Sequence, residues 1–280
     1  MKLTKGICVI PTQDFEESSI QINKGSVHYS AMNFKKLDFP FKKDAFIPKD
    51  EWRNLTEQEL PLVFSQHYEY SDYIYIGKLP DDIISDIEKF NIHKLKDRNI
   101  VFERMKEKED LLNEFNEKLN SFITKLSTDD NKLEFHRLSV IPSGRYTTSI
   151  NLNMDEFEYL GMHIDHSTGF EIETASQSRN RICINIGNEN RYLYIINLSL
   201  RNIKEMLSMY MDADLLNVEN IGDYFFKYFP DYPVLKIRQA PYEYYIAPTD
   251  NFIHDGSTFR NTYLDITITF LGNFEYYKSI

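Results

Sequence analysis

The chain has 280 residues, of which 42% are hydrophobic, and a net charge of −11 at pH 7. This length and composition allow a sizeable buried core, and the acidic balance offers no basic surface for nucleic acid or for an anionic membrane. Cys8 and Cys183 are too few and too far apart for a disulfide framework or a thiolate zinc cluster, and no apolar run has the length of a signal-peptide core or of a membrane span. We therefore expect a cytoplasmic protein without nucleic acid or membrane partners.

Residues 1–132 predict short strands followed by helices. The runs GICVIP, SVHYSAMNF and YSDYIYIGKL have strand-like composition and are separated by Pro and Asp residues. The stretch LPDDIISDIEKFNIHKL then begins with proline and acidic residues and repeats isoleucines at helical spacing, which predicts an amphipathic helix. A second helix with a solvated charged face is predicted over about residues 101–126.

From Leu133 onward the pattern changes to short β-branched and aromatic runs separated by turn residues, as in an antiparallel sandwich or small barrel. These runs are LEFHRLSVIP, YTTSINLNM, YLGMHID, NRICINIG, RYLYIINLSL, EYYIAP, NFIHDG and NTYLDITITFLGNF. A helical insert at about residues 200–228 interrupts them, and its run YFFKYF is either a lid over a pocket or the apolar face of the insert. We expect a mainly β chain with flanking helices (α+β) that forms a single domain over 1–280. N-terminal strands and a helical buttress would occupy 1–132, and a jelly-roll core 133–280.

The segment GMHIDHSTGF carries the strongest chemical signal. Side chains at positions i and i+2 of a strand share a face, so we expect His163 and Asp165 to point one way and Ile164 and His166 the other. His254 follows in a late apolar run, from which a returning strand could bring it to the first pair. Two imidazoles and one carboxylate on one face of a metal leave positions open for other ligands, the arrangement of non-haem iron(II) oxygenases.

This constellation resembles the iron(II)- and 2-oxoglutarate-dependent dioxygenase superfamily. The similarity rests on HID at 163–165, the lone His254 and RNT at 260–262, and it covers about residues 133–274. It implies a double-stranded β-helix, or jelly roll, in which His163, Asp165 and His254 bind Fe(II). Arg260 and Thr262 would then bind the distal carboxylate of the cosubstrate 2-oxoglutarate, because a guanidinium meets a carboxylate with two parallel hydrogen bonds. The resemblance also implies O2 as a cosubstrate.

The spacing of the arginine departs from the family pattern. Arg260 follows His254 by only six positions, so its turn must be tight or another arginine must bind the carboxylate. Arg181, which begins the predicted strand RICINIG, is an alternative, and Arg179 and Arg145 are the others. We favour Arg260.

Two other interpretations stay open. HIDHSTG also matches the end of the metallo-β-lactamase signature HxHxDHxxG, which would make the protein a zinc-dependent hydrolase. However, Gly161 stands where that signature has its first histidine, and no βαβ alternation surrounds the motif. A non-enzymatic jelly-roll binding protein is the third interpretation. His136, on the first predicted strand of the β part, could line a pocket, but we expect an ordinary core or surface histidine.

The expected activity is hydroxylation of an unactivated C–H bond of a small molecule. The acidic chain argues against nucleic-acid demethylation, and by analogy with enzymes of this size we expect an amino acid or an amino-acid-derived metabolite. Asp165 favours hydroxylation over halogenation, because related halogenases have a small residue in its place, and desaturation or ring closure stays open.

Overall fold

Two large β-sheets, two short ribbons and the helices packed around them make up the part of the protein that the structure describes. The computed structural model describes residues 1–10, 15–34, 37–64, 72–129, 132–152, 157–167 and 169–275. Strands and helices are numbered separately in chain order. The described chain is rich in sheet and carries several helices, as the sequence predicts, and neither sheet closes on itself.

The larger sheet has six described strands. In spatial order these are β1 (Cys8–Ile10), β6 (Tyr73–Lys78), β13 (Glu243–Ala247), β10 (Asn180–Asn185), β15 (Asp265–Gly272) and β7 (Glu134–Ile141). β1 pairs in parallel with β6, and the other pairs are antiparallel. The alternation within β10 defines the two faces of this sheet, because Ile182 and Ile184 lie on one face and Arg181 and Cys183 on the other.

The smaller sheet has five described strands. In spatial order these are β14 (Phe252–Ser257), β11 (Arg191–Ser199), β12 (Leu235–Gln239), β2 (Ile20–Ile22) and β5 (Arg53–Asn54), all antiparallel. Two short ribbons stand beside the sheets and pair β3 (Ser26–His28) with β4 (Phe46–Pro48) and β8 (Ile150–Leu152) with β9 (Phe157–Tyr159). The N-terminal strands therefore extend both sheets of the later β region.

Six described helices surround the sheets. They are α1 (Leu60–Val63), α2 (Asp81–Lys89), α3 (Arg98–Glu107), α4 (Glu109–Leu126), α5 (Leu200–Leu207) and α6 (Ile221–Tyr228). α2 confirms the amphipathic helix, with acidic residues in its first turn and Lys89 in its last, where they complement the helix dipole. The single helix predicted over about 101–126 is wrong in two respects. It begins earlier, where Asp97 caps α3, and it breaks at Lys108, whose backbone leaves the helical region.

Two hydrophobic cores lie on opposite faces of the larger sheet. Ile182 and Ile184 pack with Phe115 and Leu119 of α4, so α2, α3 and α4 cover that face. The other face packs against the smaller sheet, and the core between them includes Cys183 together with Leu193, Ile195 and other apolar residues of β11 and β12. Polar residues of β10 therefore point into the space between the sheets.

The helical insert packs its aromatic residues inward. Phe225 and Phe226 of α6 are buried, and the ring of Phe226 stacks on Phe46 with a centroid distance of 4.9 Å. Of the two alternatives for YFFKYF, this packing favours the apolar face of the insert over a lid. Among the described residues, none of the helices combines the length and the apolar composition needed to cross a membrane.

Candidate metal centre

The backbone brings His163 and His254 together. His163 N lies 2.9 Å from His254 O, and His254 N lies 2.8 Å from His163 O, so the two residues form an antiparallel bridge. On its other side His254 pairs with Ile195 of β11. The predicted strand YLGMHID is correspondingly wrong in extent, because β9 ends at Tyr159 and His163 joins the smaller sheet through this bridge alone.

Asp165 completes a three-residue cluster. Its Oδ1 lies 3.6 Å from Nε2 of His163, and its Oδ2 lies 3.5 Å from Nε2 of His254. Asp165 N donates to Thr249 O at 3.3 Å, which holds this part of the chain against the turn before β14. One ligand atom from each of the three residues lies within 4.8 Å of the others. The predicted ligands therefore meet in space, with both histidines and the carboxylate largely buried.

Gly161 makes the approach of His163 possible. Its φ is +67°, a left-handed conformation that glycine adopts without strain, and a Cβ there would lie 2.4 Å from the carbonyl oxygen of Phe46. The residue also accepts a hydrogen bond, since Nδ1 of His163 lies 2.8 Å from Gly161 O. A side chain at this position, as the metallo-β-lactamase signature requires, would collide with the backbone of β4.

The hydrogen bonds of the two imidazoles suit metal binding. Nδ1 of His163 donates to Gly161 O, and Nδ1 of His254 donates to Phe252 O at 3.3 Å. A carbonyl oxygen only accepts, so these contacts place the proton of a neutral ring on Nδ1 and leave the lone pair on Nε2. Both Nε2 atoms face the carboxylate of Asp165, so acceptors converge where only a cation or shared protons can stabilise them. This donor set fits a divalent transition metal.

Arg181 is the charged neighbour of the cluster. Its Nη2 lies 2.7 Å from Oδ2 of Asp165. Burial raises the pKa of Asp165, but Arg181 and then His254 outweigh it and hold this pKa well below its usual range. Burial lowers the pKa of His163, yet the hydrogen bond and charge of Asp165 outweigh burial and raise it, whereas burial dominates at His254 and lowers its pKa. Asp165 is therefore an anion at neutral pH, as a metal ligand must be.

Arg260 and Thr262, the predicted carboxylate-binding pair, lie on the outer side of the smaller sheet. Arg260 is exposed, with its guanidinium 5.4 Å from the ring centre of Phe259. Thr262 donates from its N to Glu189 at 2.7 Å. Arg260 lines a cavity of about 720 Å³ with Lys236, whose neighbour Leu235 faces inward. Among the described contacts, none joins Arg260 or Thr262 to the cluster.

The remaining arginine candidates are occupied elsewhere. Nη1 of Arg179 lies 2.7 Å from Glu134, and Nη2 of Arg145 lies 2.7 Å from Asp38. Of the arginines singled out in the sequence, Arg181 is the one that contacts the cluster. His166 is exposed and stacks on Phe170 with a centroid distance of 5.4 Å, which directs it away from the other two histidines.

Two residues of β7 lie near the cluster although no sequence motif marks them as candidate site residues. Arg137 carries no motif, and the sequence predicts an ordinary histidine at His136, yet the charges of Arg181 and Asp165 act on both. Burial lowers the pKa of each, and Arg181 lowers it further. The sequence does contain a signal for Arg137, because it is a cationic residue within the first predicted strand of the β region.

Comparisons with protein-family models, with curated proteins and with solved structures find no match for this chain, so any assignment of function depends on the cluster and its surroundings.

Proposed function

We propose that this protein is an iron(II)- and 2-oxoglutarate-dependent oxygenase that hydroxylates a small molecule. The observation that carries the proposal is the convergence of Nε2 of His163, Nε2 of His254 and the carboxylate of Asp165, with each Nδ1 proton held by a backbone carbonyl. Two nitrogen ligands and one oxygen ligand on one side of a metal are the donor set of non-haem iron(II) oxygenases.

The strand order supports the jelly-roll form of this proposal. β7, β15, β10 and β13 are consecutive neighbours in the larger sheet, and the His163 bridge, β14, β11 and β12 are consecutive neighbours in the smaller one. A jelly roll has two facing groups of four antiparallel strands, and here four strands face three strands and one bridged segment. In this arrangement the two histidines lie on the bridged segment and on β14, the first two members of the smaller group, and their side chains point at the larger sheet.

The protein residues have separate roles in this proposal. His163, His254 and Asp165 would hold Fe(II), which when bound supplies the activation of O2 that couples conversion of 2-oxoglutarate to succinate with hydroxylation of a C–H bond. The carbonyls of Gly161 and Phe252 keep the imidazoles in the tautomer that exposes Nε2. These hydrogen bonds fix the orientation of each ring before a metal binds.

Arg181 orients Asp165 and is our candidate for contact with the cosubstrate. Its Nη2 pairs with Oδ2 of Asp165, which leaves the other carboxylate oxygen facing His163. Its Nε is buried and donates no hydrogen bond to a described residue. A cosubstrate oxygen would satisfy this donor, and Arg260, on the outer side of the smaller sheet, has no comparable position.

The zinc hydrolase has less support. A dinuclear centre of the metallo-β-lactamase type needs a second set of ligands, and the described residues contain a single cluster of three. His166, which that mechanism would use, stacks on Phe170 at the surface. No separate observation favours a second function.

An anaerobic titration tests the proposal. Fe(II) and 2-oxoglutarate added together should produce the weak visible charge-transfer band of a chelated iron complex, with about one iron per chain. Exposure to air in the presence of free amino acids, one class at a time, should then raise succinate production for the substrate class. Hydrolase activity that depends on zinc, or the absence of metal binding, would refute the assignment.

A further inference from the structure

Three arginines project into the space between the sheets near the cluster: Arg137, Arg181 and Arg191. Nε of Arg191 lies 3.2 Å from Oδ1 of Asp265, and both residues are buried. Arg181 is paired with Asp165. Arg137 forms no ion pair with any carboxylate among the residues that the structure describes. It is therefore the one of the three whose charge has no described partner.

The strand register places Arg137 on the same face as the cluster's own arginine. Arg137 of β7 is opposite Thr269 of β15, and Thr269 is opposite Cys183 of β10. Nη1 of Arg191, from the smaller sheet, lies 3.0 Å from Sγ of Cys183, so this row of residues faces the space between the sheets. Arg181 is two positions from Cys183 on the same strand and shares that face. Arg137 thus lies two strands away from Arg181, on the inner surface.

Arg137 lies on β7, an edge strand of the larger sheet, and the residue is exposed. Partial burial of its guanidinium still lowers its pKa, and the like charge of Arg181 adds to this effect. Asp165 acts in the opposite direction. The side chain is therefore open to an incoming ligand but close enough to the cluster to sense its charges.

The unpaired charge of Arg137 favours an anion. Arg181 is paired with Asp165, and Arg191 with Asp265. Asp250 and Asp255 are the other acidic neighbours of the cluster, and burial raises the pKa of both carboxyl groups. A partly desolvated guanidinium without a counterion gains most from a carboxylate, which it can meet with two hydrogen bonds.

We infer that Arg137 binds a carboxylate group of the ligand that occupies the space beside His163, Asp165 and His254. The inference rests on the proposed function only in taking this cluster as the centre of the site. The carboxylate could belong to 2-oxoglutarate or to the primary substrate. In both cases it supplies the counterion that Arg137 lacks among the described residues.

The test measures direct binding to the anaerobic protein loaded with Mn(II). The variants are Arg137→Gln, Arg137→Lys and, as a matched control, Arg238→Gln, which removes the same charge from the outer face of β12, where the guanidinium donates to Ser19. The probes are 2-oxoglutarate and 2-oxopentanoate, which lacks the distal carboxylate, and a panel of free amino acids, each against its amide. Isothermal titration calorimetry gives the affinity of each probe.

If Arg137 binds the cosubstrate, Arg137→Gln weakens 2-oxoglutarate binding about ten- to a hundredfold and leaves 2-oxopentanoate binding unchanged. If it binds the substrate, 2-oxoglutarate binding is unchanged, and the variant instead loses the preference for an amino acid over its amide. Arg137→Lys should recover part of the loss, because it keeps the charge without the planar fork. Arg238→Gln should match the wild type.

The inference is overturned if the wild type binds none of these carboxylates, or if the wild type and Arg137→Gln bind all of them equally. Failure of the proposed function gives a different result. A wild type that binds no Mn(II) by electron paramagnetic resonance refutes the metal centre. Titration of the same probes into the metal-free protein then shows whether carboxylate binding depends on Arg137.

Discussion

His163 and His254 exchange both of their backbone hydrogen bonds, at 2.9 and 2.8 Å, and this pairing brings their ring centroids to 4.7 Å. The bridge matters because it fixes two side chains from distant parts of the sequence before any ligand binds. Their Nδ1 protons are committed to Gly161 O and Phe252 O, so rotation of either ring would break a hydrogen bond. Asp165 then has a preformed pair of nitrogens to face.

Loss of either histidine should abolish metal binding. His163→Ala and His254→Ala each remove one of three protein ligands, and we expect the affinity for Mn(II) to fall by more than about a hundredfold. Succinate production that depends on substrate should disappear, while far-ultraviolet circular dichroism stays unchanged. His166→Ala is the matched control, because this exposed residue stacks on Phe170, and it should keep metal and activity. A His166→Ala protein that loses metal as completely as Asp165→Ala would rule out the oxygenase assignment.

Arg181→Gln should weaken the binding of both metal and 2-oxoglutarate. The guanidinium lies 2.7 Å from Asp165 and keeps that carboxylate ionised against burial, so its loss should cost about ten- to a hundredfold in metal affinity. Arg260→Gln removes the same charge from the outer side of the smaller sheet and should leave both affinities unchanged. Calorimetric titration of each variant measures the difference. The reverse outcome would return the cosubstrate contact to Arg260.

Gly161→Ala should strain the turn that carries His163. The φ of +67° and the approach of 2.4 Å to Phe46 O leave no room for a Cβ, and we expect a loss of about 1–3 kcal/mol in the free energy of unfolding. Metal affinity should fall with it, since Gly161 O also holds the ring of His163. Gly169→Ala, where a Cβ would meet nothing within 4 Å, should change stability by less than about 0.5 kcal/mol. Urea unfolding of the two variants makes the comparison, and equal stabilities would contradict it.

Asp86 should stabilise the helical layer through two lysines. Its carboxylate is 1% exposed and lies 2.7 Å from Nζ of both Lys89 and Lys118. Asp86→Asn should therefore cost about 1–3 kcal/mol in the free energy of unfolding. Glu51→Gln, which breaks the exposed pair with Lys24, should cost less than about 1 kcal/mol.

The stabilisation by Asp86 should also depend on pH. Burial raises the pKa of Asp86, but its hydrogen bonds to Lys118 and Lys89 outweigh this and lower it below the ordinary value of 3.8. A carboxyl group with a lowered pKa in the folded state stabilises the protein above its unfolded pKa, and this contribution is lost as pH falls through the folded pKa. The difference in unfolding free energy between wild type and Asp86→Asn should therefore be constant near neutral pH and shrink under acid conditions. A difference that grew as pH fell would contradict this sign.

Local sequence pattern was sufficient for several elements of the fold and for the identity of the cluster. The isoleucine spacing after Pro80 predicted α2, and the alternating runs predicted β10, β11 and β15 because a strand with covered faces must place apolar residues in a regular order. The two-residue spacing of His163 and Asp165 keeps their side chains close whether or not the strand continues. His254 is predictable from its place after an apolar run and before the last long strand, where a returning strand could lie against the first pair.

Tertiary structure decided what no local pattern encodes. The break at Lys108 and the short pairing of His163 depend on what packs against each segment, and periodicity within a segment does not report this. That Arg181, and not Arg260, contacts Asp165 depends on how β14 turns at its end, because a few residues of turn determine on which side of a sheet the next side chain lies. Arg137 shares a face with Arg181 through register across β15 to β10, a relationship between residues more than forty positions apart in sequence. Sequence spacing determines which side chains share a face of one strand, but only the pairing of strands determines which faces meet.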